Sequence, residues 1–460
     1  RITAFMADLN EELWKLGVLA KTEHNEVAPA QHELAPIFST TNIATDHNQL
    51  TMEALKDVAR RHDLSCLLHE KPFAGVNGSG KHNNWSMSTN TGENLLSPGK
   101  KPENNIQFLL FLVAVIKAVD EYQDLLRVSV ATAGNDHRLG ANEAPPAIIS
   151  MFLGDELSGI LESYENGVEY VPVKVQPMET GVAAVPRFQK DTTDRNRTSP
   201  FAFTGNKFEF RSLGSSSSVA GPNIILNTAV AEALRQFYGE LKAFPEDQMD
   251  EAVRALVKRA ILKHKKVIFN GNGYEEAWVE EAARRGLANL RSTADALPTY
   301  VLPKNVELMM KHGVYTKEEM FSRHEIHMEK YRKVIHIEAA TMVDMVQHEI
   351  LNAASEYESK LCETMLRKHE AAPELPCHVE KSLANSIGIL NDKLLEQTVT
   401  LKTALETAPV GASGEEEMRY YHDVVAADMD AVRDTVDRLE TLTAGKYWPY
   451  PTFYDLLFSV

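Results

Sequence analysis

The chain has 460 residues, 43% of them hydrophobic and 25% charged, and its 65 Asp and Glu outnumber 48 Lys and Arg for a formal charge of -17. That is the balance of a globular protein with a large core. It argues against a nucleic-acid partner, which needs an excess of basic residues, but not against an anionic substrate met by local arginines. The longest apolar run, Phe108 to Ile116, falls far short of the about eighteen residues of a membrane span, so no membrane partner is expected. Three scattered cysteines, Cys66, Cys362 and Cys377, point to a reducing, cytoplasmic setting. The chain opens Arg1-Ile-Thr-Ala-Phe, without an initiator Met and already in amphipathic sequence, so a missing upstream part is expected.

Phe5, Leu9, Leu13 and Leu16 predict a helix over 5–16, and similar periodicity predicts helices over 47–62, 104–127 and 223–243. Between them lie Gly-, Pro- and Asn-rich stretches with short apolar runs such as Ser65 to His69. Lys207-Phe-Glu-Phe-Arg211 alternates with period two, as a strand does. Residues 1–245 therefore read as an α+β domain, a mainly antiparallel sheet with flanking helices, partial at its N-terminus. Residues 246–337 read as a helical continuation. In 338–445, Val343, Val346, Ile350, Ala353, Tyr357 and Leu361 form one helical stripe; Leu383, Ile387, Leu390, Leu394, Leu401 and Leu405 form a second; Met418, Tyr421, Val425, Val432, Val436 and Leu439 form a third. Pro373, Pro376 and the run Pro409 to Gly414 separate them, which predicts a three-helix bundle, with 446–460 as a tail. The bundle is acidic, a solvated face or a subunit contact.

Gly75-Val-Asn-Gly-Ser-Gly-Lys-His82 nearly spells a nucleotide-binding loop. His82 stands where a metal-binding hydroxyl belongs, and no amphipathic helix follows, so the match is set aside. Four segments concentrate polar chemistry. In Glu23 to Glu33, Pro29 forbids a regular helix and puts Glu26 and Glu33 at either side of a turn, as a pair that shares a hard cation or as solvated loop acids. The glycine loop lets backbone and Asn77 approach a ligand, with His82 as a metal ligand or an ordinary histidine. Gly134 to Pro146, carrying Arg138 and Glu143, has the texture of an active-site loop. In the fourth, Lys207, Glu209 and Arg211 share one strand face, either as an ion-pair ladder or as a metal acid between phosphate-binding bases.

Glu26-Val-Ala-Pro-Ala-Gln-His-Glu33, Asn77-Gly-Ser-Gly-Lys-His-Asn-Asn-Trp-Ser86, Arg138 to Pro145 and Arg197 to Arg211 occur in the order of the glutamine synthetase family. The chain resembles its large type III branch from the first helix to the closing Trp448-Pro-Tyr-Pro-Thr and Asp455 to Val460. The resemblance implies Glu26 and Glu33 on one divalent cation, Mg²⁺ or Mn²⁺, and His82 and Glu209 on a second. It implies Asn77, Gly78 and Arg138 on glutamate, and Asn84 and Ser86 near ATP. Arg197, Lys207 and Arg211 would meet phosphate and carboxylate charge, and Glu143 would be a flap acid that helps deprotonate ammonium. It further implies a ring oligomer, a dodecamer of two hexamers, and a β-grasp domain upstream of Arg1.

The sequence also departs from the shorter branches. Glu143 and Arg197 are 54 residues apart, and the intervening segment, with Tyr170 to Val175 and Pro186, reads as an inserted loop or hairpin. Ala202 and Lys207 stand where those branches carry arginines. The expected activity is ligation of ammonium to glutamate through a γ-glutamyl phosphate. The alternatives are a γ-glutamyl ligase for another amine and a non-catalytic oligomeric scaffold or regulator.

Overall fold

A computed structural model describes residues 1–73, 75–140, 144–171, 196–409 and 411–458. The chain divides into two compact units, Arg1–Phe321 and Ser322–Val460. Among the described residues no helix is long and apolar enough to cross a membrane.

The first unit begins with α1 (Ile2–Lys15), whose Phe5, Met6, Leu9 and Leu13 are buried against Ala54, Val58 and Ala59 of α2 (Thr41–Arg61). Between the two helices runs an antiparallel hairpin, β1 (Ala20–Asn25) and β2 (His32–Pro36). After β3 (Lys81–Trp85) comes α3 (Ile106–Val128), in which seventeen residues are buried. A helix apolar on most of its faces belongs at the centre of a unit, and α3 packs against later helices on several sides. The side chain of Asn105 caps it by accepting from the Phe108 N–H. A short α4 (Ala133–Asp136) follows.

The segment 144–171 holds β4 (Met151–Phe152) and the helix α5 (Gly154–Asn166), closed by Gly167 at φ 68°. The inserted loop or hairpin expected here is thus helical in its first part, because Leu157, Ile160 and Leu161 provide a stripe that α7 buries. The expected features at Pro172 to Val175 and Pro186 lie outside the described residues.

β5 (Phe201–Phe203) and β6 (Phe208–Leu213) complete a four-stranded sheet of order β3-β6-β5-β4. β3–β6 and β6–β5 are antiparallel, and β5–β4 is parallel. Ile268 bridges the outer edge at Met151. Phe201 stacks on Phe208 at 4.8 Å between centroids and meets Phe210 edge-on at 5.9 Å, so one face of the hairpin is an aromatic layer. α6 (Ala220–Leu241) and α7 (Met249–His264) pack on α3, joined there by a buried pair in which Asp120 and His264 Nδ1 lie 2.7 Å apart. α8 (Glu276–Arg284), α9 (Thr293–Ala296) and α10 (Pro303–Lys311) close the unit.

α11 (Lys317–Met345) leads into the second unit and passes through a π-helical turn, Val346–Ile350, into α12 (Leu351–Ala371). α13 (His378–Glu406) packs on both α12 and α15 (Ala426–Leu442). α14 (Gly414–Tyr420) opens with a capping box between Ser413 and Glu416 and joins α15 through a second π-turn, Tyr421–Val425. Val346, Ile350, Ile387, Leu390, Leu394, Val432 and Leu439 are buried as their spacing requires. α16 (Phe453–Phe458) ends the described chain.

Candidate active site

The site is built on two pairs of strands and the loops that tie them. In the β1–β2 turn, Gln31 N–H donates to the Ala28 carbonyl at 3.2 Å, with Pro29 and Ala30 at the corner. Ala30 takes φ 54°, a left-handed conformation that glycine adopts more readily. Glu26 N–H closes the turn on the Gln31 carbonyl at 2.9 Å. His24 lies directly across from Glu33 in the register. Its Nε2 is 3.1 Å from Glu26 Oε1 and 3.7 Å from Glu33 Oε2. The three side chains therefore offer ligand atoms within 4.8 Å of one another.

The glycine loop meets this hairpin through one side chain. Gln31 Nε2 donates to the carbonyls of His69, Ser79 and Glu70 at 3.1, 3.3 and 3.5 Å, and its Oε1 accepts the Ser79 N–H at 3.0 Å. Two of its glycines leave no space for a side chain. A Cβ on Gly78 would lie 2.2 Å from the Glu70 carbonyl oxygen, and one on Gly80 would lie 2.4 Å from Arg138 Cζ. Arg138 is only 2% exposed. Its guanidinium donates to the carbonyls of Arg211 and Leu213 at 2.8 and 2.9 Å and to Asn135 Oδ1 at 3.4 Å. Burial brings its pKa down to about 10. Arg138 is thus a brace between the glycine loop and the end of β6. Glu70, also buried, accepts the Ser215 N–H at 3.0 Å and fixes the serine loop beyond β6.

β3 emerges straight from the glycine loop as a strand, so the near-match to a nucleotide-binding loop has no helix to open. The β3–β6 ladder shifts register between Lys81 and Asn83, so His82 sits at the irregularity. His82 Nδ1 lies 2.9 Å from Glu209 Oε1, while Arg211 donates to Glu209 Oε2 at 3.0 Å. Burial of Glu209 opposes its ionisation, but the His82 and Arg211 contacts outweigh that and hold the carboxyl down at about 2. The contacts of Glu209 are thus those of the ion-pair reading, made with Arg211 and His82.

Arg211 and Asn84 are the expected residues that adjoin Glu209. Arg211 also donates to the carbonyls of Asn196 and Ser199 at 2.6 and 3.3 Å. Asn84 is exposed and lies opposite Glu209 in the register. Ser86 Oγ donates to the Asn206 carbonyl at 3.0 Å, at the turn that Lys207 closes by accepting the Thr204 N–H at 2.8 Å. Asn77 is half-buried in the glycine loop, and Arg197 is exposed in the turn before β5. Glu143 lies outside the described residues.

The glutamine synthetase catalytic-domain family model matches residues 1–147, and the glutamine synthetase C-terminal-domain model matches 252–369, together more than half of the chain. All of the chain aligns with a glutamine synthetase of Butyrivibrio fibrisolvens at 50% identity, a type-3 glutamine synthetase of Dictyostelium discoideum at 44% and a glutamine synthetase of Bacteroides fragilis at 42%. The chain belongs to the glutamine synthetase family. It spans 65%, 63% and 64% of the length of these three relatives, less than two thirds of each.

The side chains present fit the divalent cation that glutamine synthetases use. Glu26 and Glu33 offer hard oxygens and His24 an imidazole nitrogen within 4.8 Å of one another. Three contributors were not singled out from the sequence. His24 was in view beside Glu26, but its position opposite Glu33 depends on the hairpin register. Gln31 and Glu70 act on backbone groups far away in sequence, and only their place in or near the glutamine synthetase motifs could have flagged them.

Proposed function

We propose that this chain is the catalytic part of a cytoplasmic enzyme that joins ammonium to the γ-carboxylate of glutamate, with ATP converted to ADP and phosphate. The observations that carry the proposal are the His82–Glu209–Arg211 array at 2.9 and 3.0 Å and the His24, Glu26 and Glu33 cluster, in a chain of this family. A carboxylate is a poor electrophile, so the γ-carboxylate is first phosphorylated, and ammonia then displaces phosphate from the γ-glutamyl phosphate. Divalent cations, Mg²⁺ or Mn²⁺, supply charge neutralisation for that transfer when bound.

The chain's own groups hold and orient. Glu26 and Glu33 take one cation; Glu209, kept ionised by Arg211, takes the other with His82. Asn77 and Gly78 present the glycine loop to glutamate, and Arg138, behind Gly80, provides positive charge for its α-carboxylate. Asn84, Ser86 and Lys207 serve the nucleotide, and Arg197 and Arg211 serve the transferring phosphate. Glu143 is assigned the flap carboxylate that receives a proton from ammonium before attack. The working form is a homo-oligomeric ring, a dodecamer as in the type III branch.

The test is glutamate-dependent phosphate release from ATP by the native gene product, with and without ammonium, and with the cation removed by chelation. A strict requirement for ammonium and cation supports the proposal. Turnover only with another amine moves the chain to the related γ-glutamyl ligases. Absence of turnover with every amine leaves the scaffold reading.

A further inference from the structure

We infer that Gln31 is a positioning residue that couples cation binding at the β1–β2 hairpin to glutamate binding at the glycine loop, an inference that rests on the function proposed above. Every polar group of this residue is used. Its backbone carbonyl accepts from Glu26 N–H at 2.9 Å and its own N–H donates to Ala28, which fixes the turn carrying the cation ligands. Its side-chain amide grips Ser79 from both sides, accepting the N–H at 3.0 Å and donating to the carbonyl at 3.3 Å. Ser79 lies between Gly78 and Gly80, which are wedged against Glu70 and Arg138. A shift of the hairpin therefore moves the loop.

The turn itself does not need this side chain, because its backbone bonds close it. What the side chain adds is reach, to segments 38 to 48 residues away in sequence. The chemistry also restricts the residue. An amide both donates to carbonyls and accepts from an N–H. Glutamate keeps the acceptor for Ser79 but turns a carboxylate toward three carbonyl oxygens, and methionine fills the space with neither function. Two ligands that favour the same placement of one clamped unit each tighten the other.

The test is titration of the full-length native gene product with Mn²⁺ by electron paramagnetic resonance, with and without L-glutamate. Glutamate is expected to tighten Mn²⁺ binding, typically on the order of 5- to 100-fold for coupled sites. Gln31→Met is expected to cut that factor by about threefold or more, while Mn²⁺ binding without glutamate changes less. Gln31→Glu, of the same shape, is expected to do the same and serves if the first variant does not fold. A folded variant that keeps the wild-type factor overturns the inference and leaves the proposed function standing. So does failure of both variants to fold, which would make Gln31 a requirement of the fold alone. Wild-type protein in which glutamate and Mn²⁺ do not bind overturns the proposed function and the inference with it.

Discussion

Glu209 lends itself to a quantitative test. Glu209→Gln keeps the shape and one acceptor oxygen but removes the charge that His82 and Arg211 face. The folded carboxyl sits at about 2 against an ordinary 4.5. A depressed carboxylate contributes stability that is complete above its unfolded value and is lost as pH falls through its folded value. The gap corresponds to about 3 kcal/mol at pH 7, falling to about 1 kcal/mol at pH 3. Because the side chain is 7% exposed, solvent screening takes little from this figure. The assay is urea unfolding of both proteins in chelator at pH 7, 5 and 3, followed by intrinsic fluorescence with Trp85, buried on β3, as the nearest reporter. Wild type should exceed the variant most at pH 7, and the two curves should converge with acidification. A difference of equal size at pH 7 and pH 3 would refute the reasoning, since it would show that the charge is not what is lost.

Gly78→Ala and Gly80→Ala each force a Cβ into atoms with nowhere to go, and each should lower stability by about 1–3 kcal/mol in thermal melts. At the α3–α7 contact, Asp120→Ala leaves His264 buried beside a missing acceptor and should cost about 3 kcal/mol, whereas Asp120→Asn keeps an acceptor and should cost clearly less. Equal losses in urea titrations would show that packing, not pairing, matters there. Burial brings Lys81 down to about 8 from 10.5. Between those values the unfolded chain binds more protons, so wild type should gain stability relative to Lys81→Met as pH rises from 7.5 to 10. Unchanged relative urea midpoints over that range would count against it.

The helices were largely legible because burial repeats every three or four residues along them, as in Leu9 and Leu13 of α1 or Leu390 and Leu394 of α13. The strand ending in Arg211 was legible from Phe208 and Phe210, although it runs on to Leu213 with both faces covered. α5 is hard to read from the sequence because its stripe is short and precedes a proline-bearing stretch. The two π-turns leave no mark in composition, since each is a single extra residue within a helical repeat. At the site, residue types and order single out Glu26, Glu33, His82 and Glu209 as candidates. What they could not reveal is which side chains spend themselves on backbone oxygens. Arg138 reads as a ligand-binding arginine, yet its guanidinium bonds lie on the carbonyls of Arg211 and Leu213. Such contacts depend on chain segments far apart in sequence meeting.

The order of strands in the larger sheet carries a consequence for how the protein is made. β5 and β6 pair across a turn of a few residues, but β3 must find β6 with Lys81 opposite Leu213. Closing so long a loop is slow compared with forming a hairpin. On a ribosome, His82 emerges more than a hundred residues before Glu209 and waits unpaired, while the β5–β6 hairpin needs only its immediate neighbours. The His82–Glu209 pair is therefore expected to be the late-maturing part of a unit whose aromatic layer is already set. Pulse-labelled hydrogen exchange during refolding should find the β5–β6 amides protected before those of β3.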